Sequence, residues 1–129
     1  MPKASQSSAA QGGDYGPVVD RSEELGGYTV SFVTFREDLD QAPMLKGAPD
    51  DRCQCPHWGY VTKGRLVFQV GDGEETFEAG DHFYLPPGHV GVSNEPGTEY
   101  VQFSPTDALN DVSAVIMANM QKMQPADGG

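Results

Sequence analysis

Basic residues are scarce. Eight Lys and Arg stand against nineteen Asp and Glu, for a formal net charge of −11. Neutralising a phosphate backbone needs clustered cations, so this balance argues against a nucleic-acid partner. It also disfavours an anionic membrane surface. Cysteine is equally sparse, with only Cys53 and Cys55. Two thiols build no disulfide framework. On a strand, side chains two apart lie roughly 7 Å from each other, which would strain a bridge between them. No apolar run approaches the about 20 residues of a spanning helix. The N-terminus has no apolar signal core, so the expectation is a cytoplasmic protein. A Gly-rich phosphate loop, a nucleophile elbow and a His-Glu-x-x-His helix are all missing.

Turn-forming residues are plentiful, with sixteen Gly and ten Pro among 129 residues. That length suits one domain with one core. Residues 1–20 are mostly small and polar without apolar period, and read as a disordered tail. Tyr28 to Arg36 reads as a strand with apolar residues on both faces. Glu37 to Asp51 reads as a loop pinned by Met44 and Leu45. Further strands are expected at Tyr60–Thr62, Arg65–Val70, Glu74–Ala79, His82–Leu85 and Tyr100–Phe103. Gly71-Asp-Gly73 supplies a hairpin turn, and Pro86-Pro-Gly88 and Glu95-Pro-Gly97 supply others. Strands at this spacing indicate an antiparallel sandwich or barrel over 21–105. The period then changes. Ser104-Pro-Thr-Asp107 offers a Ser or Thr cap and an acidic first turn. Leu109, Val112, Val115, Ile116, Met120 and Met123 follow helical spacing, so 106–124 reads as a core-covering helix. Residues 125–129 read as a flexible tail.

Chemistry concentrates in Cys53-Gln-Cys-Pro-His-Trp-Gly-Tyr60. On one strand, Cys53, Cys55 and His57 would share a face. Their ends would lie roughly 13 Å apart, so one ion can reach all three only if Pro56 breaks the strand. Two thiolates with imidazole suit zinc or Cu(I) better than a hard ion. The alternative is two small buried thiols beside a hydrogen-bonded core histidine. His89 follows the Pro-Pro-Gly turn and points either into a barrel mouth or into water. His82 reads as a surface or packing residue. Gly59, on the same face as His57, would leave space for a cavity. Trp58 and Tyr60 would face outward and need cover from the helix or a second subunit. Glu74, Glu75 and Glu78 read as a solvated edge.

Over about residues 28 to 105 the chain resembles the cupins. Gly80, Pro86 and Gly88 match the family's second motif. Gly64 matches the glycine closing its first motif, and Tyr60 to Leu66 resembles the accompanying strand and turn. The resemblance implies an all-β fold: a cupin-type double-stranded β-helix, or jelly-roll barrel, here with one C-terminal α-helix. It also implies a homodimer. The family usually holds a divalent metal on a His-x-His pair, a Glu and a second-motif His. The Glu position falls here on His57. The His-x-His positions fall on Asp51 and Cys53, or on Cys53 and Cys55 if the connection is shorter. The second-motif position falls on Gly91, with His89 two residues before it. The candidate metal set is therefore Cys53, Cys55, His57 and His89, with His57 also the candidate catalytic residue. The candidate cofactor is a transition metal, with zinc, copper and iron as alternatives. The expected function is binding of a small molecule inside the barrel, as a metal-dependent isomerase, lyase or oxygenase. The alternative is a non-catalytic ligand-binding or metal-sensing module without an ion.

Overall fold

A computed structural model describes residues 3–123. Nine strands run in the order β1 (Gln11–Asp14), β2 (Val18–Leu25), β3 (Tyr28–Phe35), β4 (His57–Lys63), β5 (Arg65–Val70), β6 (Gly73–Glu78), β7 (His82–Leu85), β8 (His89–Asn94) and β9 (Thr98–Pro105). Helix α1 (Thr106–Met123) follows, and two 3-10 turns, Ala42–Leu45 and Pro49–Asp51, fill the β3–β4 connection. The strands form a six-stranded sheet ordered β1-β2-β3-β9-β4-β7 and a three-stranded sheet ordered β6-β5-β8. Every pairing is antiparallel. The two sheets enclose a core of Val33, Phe35, Val61, Leu66, Phe68, Phe83, Leu85 and Tyr100. The all-β jelly roll with one C-terminal helix is thus present. Among the described residues no helix is long and apolar enough to cross a membrane.

The tail expected over 1–20 is corrected in part. Gln11–Asp14 and the start of β2 lie in the six-stranded sheet. The reason is the face these strands present. Val18, Asp20, Ser22 and Glu24 alternate inward, but they line a cavity. A cavity wall tolerates polar residues, so no apolar alternation marks the strand. β1 is held by backbone pairing to β2, and Arg36 clamps Asp14 with two 2.8 Å hydrogen bonds. Both side chains are exposed, so the ion pair itself adds little. β8 was also not expected, because the Pro-Pro-Gly turn masks its start. The tail expected at 125–129 lies outside the described residues.

Register arranges the inward residues of β2, β3, β9 and β4 in rows. One row is Asp20, Val33, Tyr100 and Val61, and the next is Ser22, Ser31, Gln102 and Gly59. Gly59 does not leave the space expected of it. A Cβ there would lie 2.6 Å from the Val101 carbonyl oxygen and 2.8 Å from Phe83 Cε2, so the Phe83 ring already occupies that space. On the outer face, Tyr28, Trp58, Tyr84 and Phe103 are about half exposed. Trp58 packs against Tyr84 with ring centroids 5.2 Å apart.

Helix α1 closes the end of the barrel beside the 3-10 turn at Ala42–Leu45. Val112 is buried against Leu45, Cys53, Cys55 and Val90, with Leu109 and Ile116 packed alongside. Asn119 Nδ2 donates to the carbonyls of Met44 (2.7 Å) and Lys46 (2.8 Å), which fixes the helix to the turn. The core-covering helix is therefore observed.

Gly64 joins β4 to β5 with φ +84°. A Cβ there would lie 2.8 Å from Thr98 Cα. Thr98 is fully buried, and its Oγ1 accepts from Arg65 N at 3.1 Å. Gly64→Val therefore combines a disfavoured φ with a backbone clash. The expected loss is about 2–6 kcal/mol of stability, from about 1–3 for the strained backbone and about 1–3 for overpacking. Urea unfolding of both proteins measures it, and an unchanged midpoint would contradict this account of the turn.

Candidate metal centre

Cys53 precedes β4 in an irregular segment that is stitched to the start of β8. Its N–H donates to the His89 carbonyl at 2.9 Å, and its carbonyl accepts from Gly88 N at 2.8 Å. Arg52 strengthens this seam, donating from Nη1 to the carbonyls of Gly71 and Gly88 at 3.0 Å each. Pro56 separates the segment from β4, so Cys53 and His57 are not held on one extended face. The roughly 13 Å separation of a straight strand collapses, and Cys53 Sγ lies 3.6 Å from His57 Nε2. His89 completes the group. Ligand atoms of Cys53, His57 and His89 all lie within 4.8 Å of one another, and all three residues are buried. The two imidazole rings meet edge to face with centroids 4.9 Å apart.

His89 is 2% exposed, which corrects the expectation that allowed it to face water. Its Nδ1 donates to the Pro86 carbonyl at 2.7 Å, and that leaves Nε2 with a free lone pair. His57 Nδ1 lies 2.6 Å from Ser104 Oγ. With Nδ1–H donating to Ser104, His57 Nε2 likewise keeps its lone pair on the Cys53 side. A hydrogen bond from the remote ring nitrogen is the usual means of orienting a metal-binding imidazole. In a tetrahedral zinc site, bonds of about 2.3 Å to sulfur and about 2.0 Å to nitrogen put the donors about 3.5 Å apart. The 3.6 Å Cys53–His57 separation matches that spacing. The donor set therefore fits a transition ion with three protein ligands and an open fourth position.

Cys55 stands apart from this group. It is buried, and its Sγ approaches the Pro56 carbonyl at 3.5 Å. Burial chiefly pushes its thiol up to about 12, with Cys53 adding to the rise and a hydrogen bond from Ser104 opposing it. Ser104 thus links His57 to Cys55 behind the centre. The sequence offers Ser104 or Thr106 as a helix cap and gives no sign of this contact. His82 is exposed, with its ring tilted against Tyr60 (centroids 4.6 Å), and is not part of the donor group. Gly91, at the second-motif position, has the Gln41 side chain in the space a Cβ would take.

The three donors line a cavity of about 440 Å³, within the usual range of small-molecule sites. Its wall runs along β2, β3 and β9 and is roofed by α1. Burial governs the ionisation of its groups. It pushes the Cys53 thiol up to about 11 and brings His57 down to about 3, with His89 contributing to the latter. His89 is lowered by burial as well. Asp20, on β2, is raised by burial to about 6. Its Oδ1 is buried with no hydrogen-bond partner. Sequence reading missed Asp20 because it placed that residue in the tail.

No family model and no curated protein matches the chain. Solved structures do. An RmlC-like cupin from Shewanella frigidimarina aligns at 18% identity over 79% of this chain and 88% of that chain, with a TM-score of 0.55. A putative mannose-6-phosphate isomerase from Ralstonia eutropha aligns at 13% identity over 81% and 98%, with a TM-score of 0.55. The FeII form of HppE aligns at 11% identity over 81% and 60%, with a TM-score of 0.56. The chain has the cupin fold. Identities this low speak for the fold alone.

The buried histidines set the acid response of the metal-free protein. Each has a folded value below its unfolded one, so its stabilising contribution is complete above pH 6.5, the ordinary histidine value. For His57 that contribution is lost as pH falls toward about 3. Asp20 acts in the opposite sense. Its value rises from 3.8 to about 6, so its ionisation costs stability above that range and the cost is relieved in acid. Below pH 6.5, His57 alone should remove up to roughly 1.4 kcal/mol per pH unit. Urea unfolding of chelator-treated protein at pH 7 and 5 should show the loss. His57→Gln should flatten the dependence and Asp20→Asn should steepen it. Identical pH slopes in all three proteins would overturn the assignment.

Proposed function

We propose that this chain is a small-molecule-binding cupin that carries a transition metal ion on Cys53, His57 and His89. The supporting observation is the convergence of one thiol and two imidazoles within 4.8 Å on the wall of the cavity. The thiolate and imidazole donors favour zinc or Cu(I) over hard ions, with iron as the remaining alternative. Such an ion, once bound, would supply Lewis-acid polarisation of a ligand oxygen at its open position. Isomerase or lyase chemistry would suit Lewis-acid polarisation by any of these ions, whereas oxygenase chemistry would require the redox-active alternatives, copper or iron. Ser104 and the Pro86 carbonyl hold the two rings with Nε2 toward the centre. Helix α1 and the 3-10 turn at Ala42–Leu45 shield the site from bulk water.

The ion-free alternative assigns His57 to acid–base work near neutral pH. A buried imidazole lowered to about 3 is poorly matched to that task, since efficient general bases sit near the operating pH. The proposal therefore makes His57 a ligand. Cys53, at about 11, is a neutral thiol unless an ion displaces its proton. Binding should accordingly release a proton and weaken as pH falls.

Zinc titration by calorimetry tests this. Wild type should bind one equivalent, and Cys53→Ala and His57→Ala should each weaken it by about 100-fold or more. Cys55→Ala should stay within about tenfold, the low end of outer-shell effects. Circular dichroism confirms that the variants are folded. Weak, non-stoichiometric binding common to wild type and His57→Ala would end the metal reading.

The outer aromatic face of Tyr28, Trp58, Tyr84 and Phe103 is proposed as the seat of the homodimer, because contiguous exposed aromatics favour cover. Sedimentation at micromolar concentration should show a species near twice 13.9 kDa. A single species at the monomer mass would overturn that assignment.

A further inference from the structure

The metal centre occupies one end of the cavity. The β2–β3–β9 wall leading away from it has a different chemistry. Ser22, Ser31 and Gln102 form one row across it, and Asp20 stands in the next, beside Val33 and Tyr100. Ser22, Ser31, Gln102 and Tyr100 are neutral hydrogen-bonding groups, Val33 is apolar and Asp20 is a carboxylate. No Lys or Arg lines the cavity among the described residues. Its charged side chains are the carboxylates of Asp20 and Glu24, and the whole chain carries −11.

Asp20 is the anomaly in this wall. Its Oδ1 is buried and unpartnered, although buried polar atoms nearly always find a partner. Val18, Val33 and Phe35 surround it with apolar surface. No neighbouring backbone N–H turns toward the oxygen, because β2 spends its ladder hydrogen bonds on β1 and β3. Asp20 lines the cavity, so an occupant of the cavity is the available partner for this oxygen. Tyr100 lies between the two ends. Its phenol is raised first by burial, then by the charges of Asp20 and Cys53, which places it within electrostatic reach of both.

The geometry points to Asp20 as the binding residue for a hydroxyl group of an uncharged, polyhydroxylated small molecule, with Ser22, Ser31 and Gln102 taking its other polar groups. This rests on the reading of the cavity as a ligand site. It goes beyond that reading by naming the ligand class. At the Asp20 end of the cavity, away from Cys53, His57 and His89, a phosphate or carboxylate would lie beside Asp20 and Glu24 with no cationic side chain to meet it. Repulsion and unrepaid desolvation both oppose that arrangement. A neutral hydroxyl instead donates to Oδ1, and a hydrogen bond to a charged acceptor is the stronger kind.

The test compares neutral monosaccharides and polyols (glucose, mannose, fructose and myo-inositol) with glucose, mannose and fructose 6-phosphates. Binding is followed by calorimetry and thermal shift on zinc-loaded and chelator-treated protein. At least one neutral compound should bind, and its phosphorylated counterpart should bind about tenfold more weakly or not at all. Asp20→Asn should weaken the neutral compound about tenfold, and Asp20→Leu, which has no acceptor, should abolish its binding. Both variants should bind zinc as wild type does. The inference is overturned if no neutral compound binds, if a 6-phosphate binds as tightly as its parent, or if Asp20→Leu binds like wild type. Should neither variant fold, the comparison of neutral and phosphorylated sugars on wild type decides. Loss of zinc binding with retained, Asp20-dependent sugar binding would remove the metal reading and leave this one standing. Zinc binding without sugar binding would do the reverse.

Discussion

An imidazole is costly to bury without hydrogen-bond partners, and this chain buries two of them side by side, against the Cys53 thiol. That constraint organises the surrounding structure. His89 must place its Nδ1–H on Pro86, which fixes the turn before β8. His57 needs Ser104, which ties β4 to the last residues of β9 just before α1. The backbone of Cys53 is sewn to Gly88 and His89. The polar cluster therefore joins the two sheets, since β4 and β9 belong to the larger and β8 to the smaller.

The two ends of the cavity are built by different means. The Cys53, His57 and His89 end depends on irregular backbone: a proline break, a Pro-Pro-Gly turn and an isolated bridge. The Asp20 end depends on regular register, where strand pairing sets side chains in rows. Irregular segments bring together residues far apart in sequence. Regular strands give a continuous wall of evenly spaced groups. The site combines a compact donor cluster with an extended hydrogen-bonding surface for that reason.

Much of the barrel was legible in the sequence, because Tyr28–Phe35, Arg65–Val70 and the Asp-Gly hairpin carry local signals that the structure repeats. Gly64 and Pro86-Pro-Gly88 marked turns that the chain does make. Cys53, Cys55 and His57 were legible together as a candidate set, with Pro56 as the break that one ion would need, but the sequence did not separate Cys53, which joins the group, from Cys55, which does not. His89 was named as a candidate, yet its burial was hidden, since the Cys53–His89 bridge joins segments 36 residues apart. Asp20 was invisible for a physical reason. Strand patterns are read from apolar alternation, and a strand that lines a polar cavity does not alternate in that way. The contact of Ser104 with His57 was hidden because a serine before a helix offers only a local capping signal, and it is β9's pairing with β4 that brings the imidazole beside it.

Gly91 carries a last consequence. The Gln41 amide lies where a side chain at 91 would begin, with Nε2 2.6 Å and Cδ 2.7 Å from an ideal Cβ. The obstruction is the far end of a flexible side chain rather than backbone, and Gln41 N is held independently by the Gly91 carbonyl at 2.9 Å. A larger residue at 91 would therefore turn the amide out of the cavity wall while leaving the main-chain link intact. Positions 41 and 91 therefore share one volume, so the room for a side chain at one depends on which residue stands at the other. A barrel of this design can exchange one polar group of its lining for another by a paired substitution, without repacking either sheet.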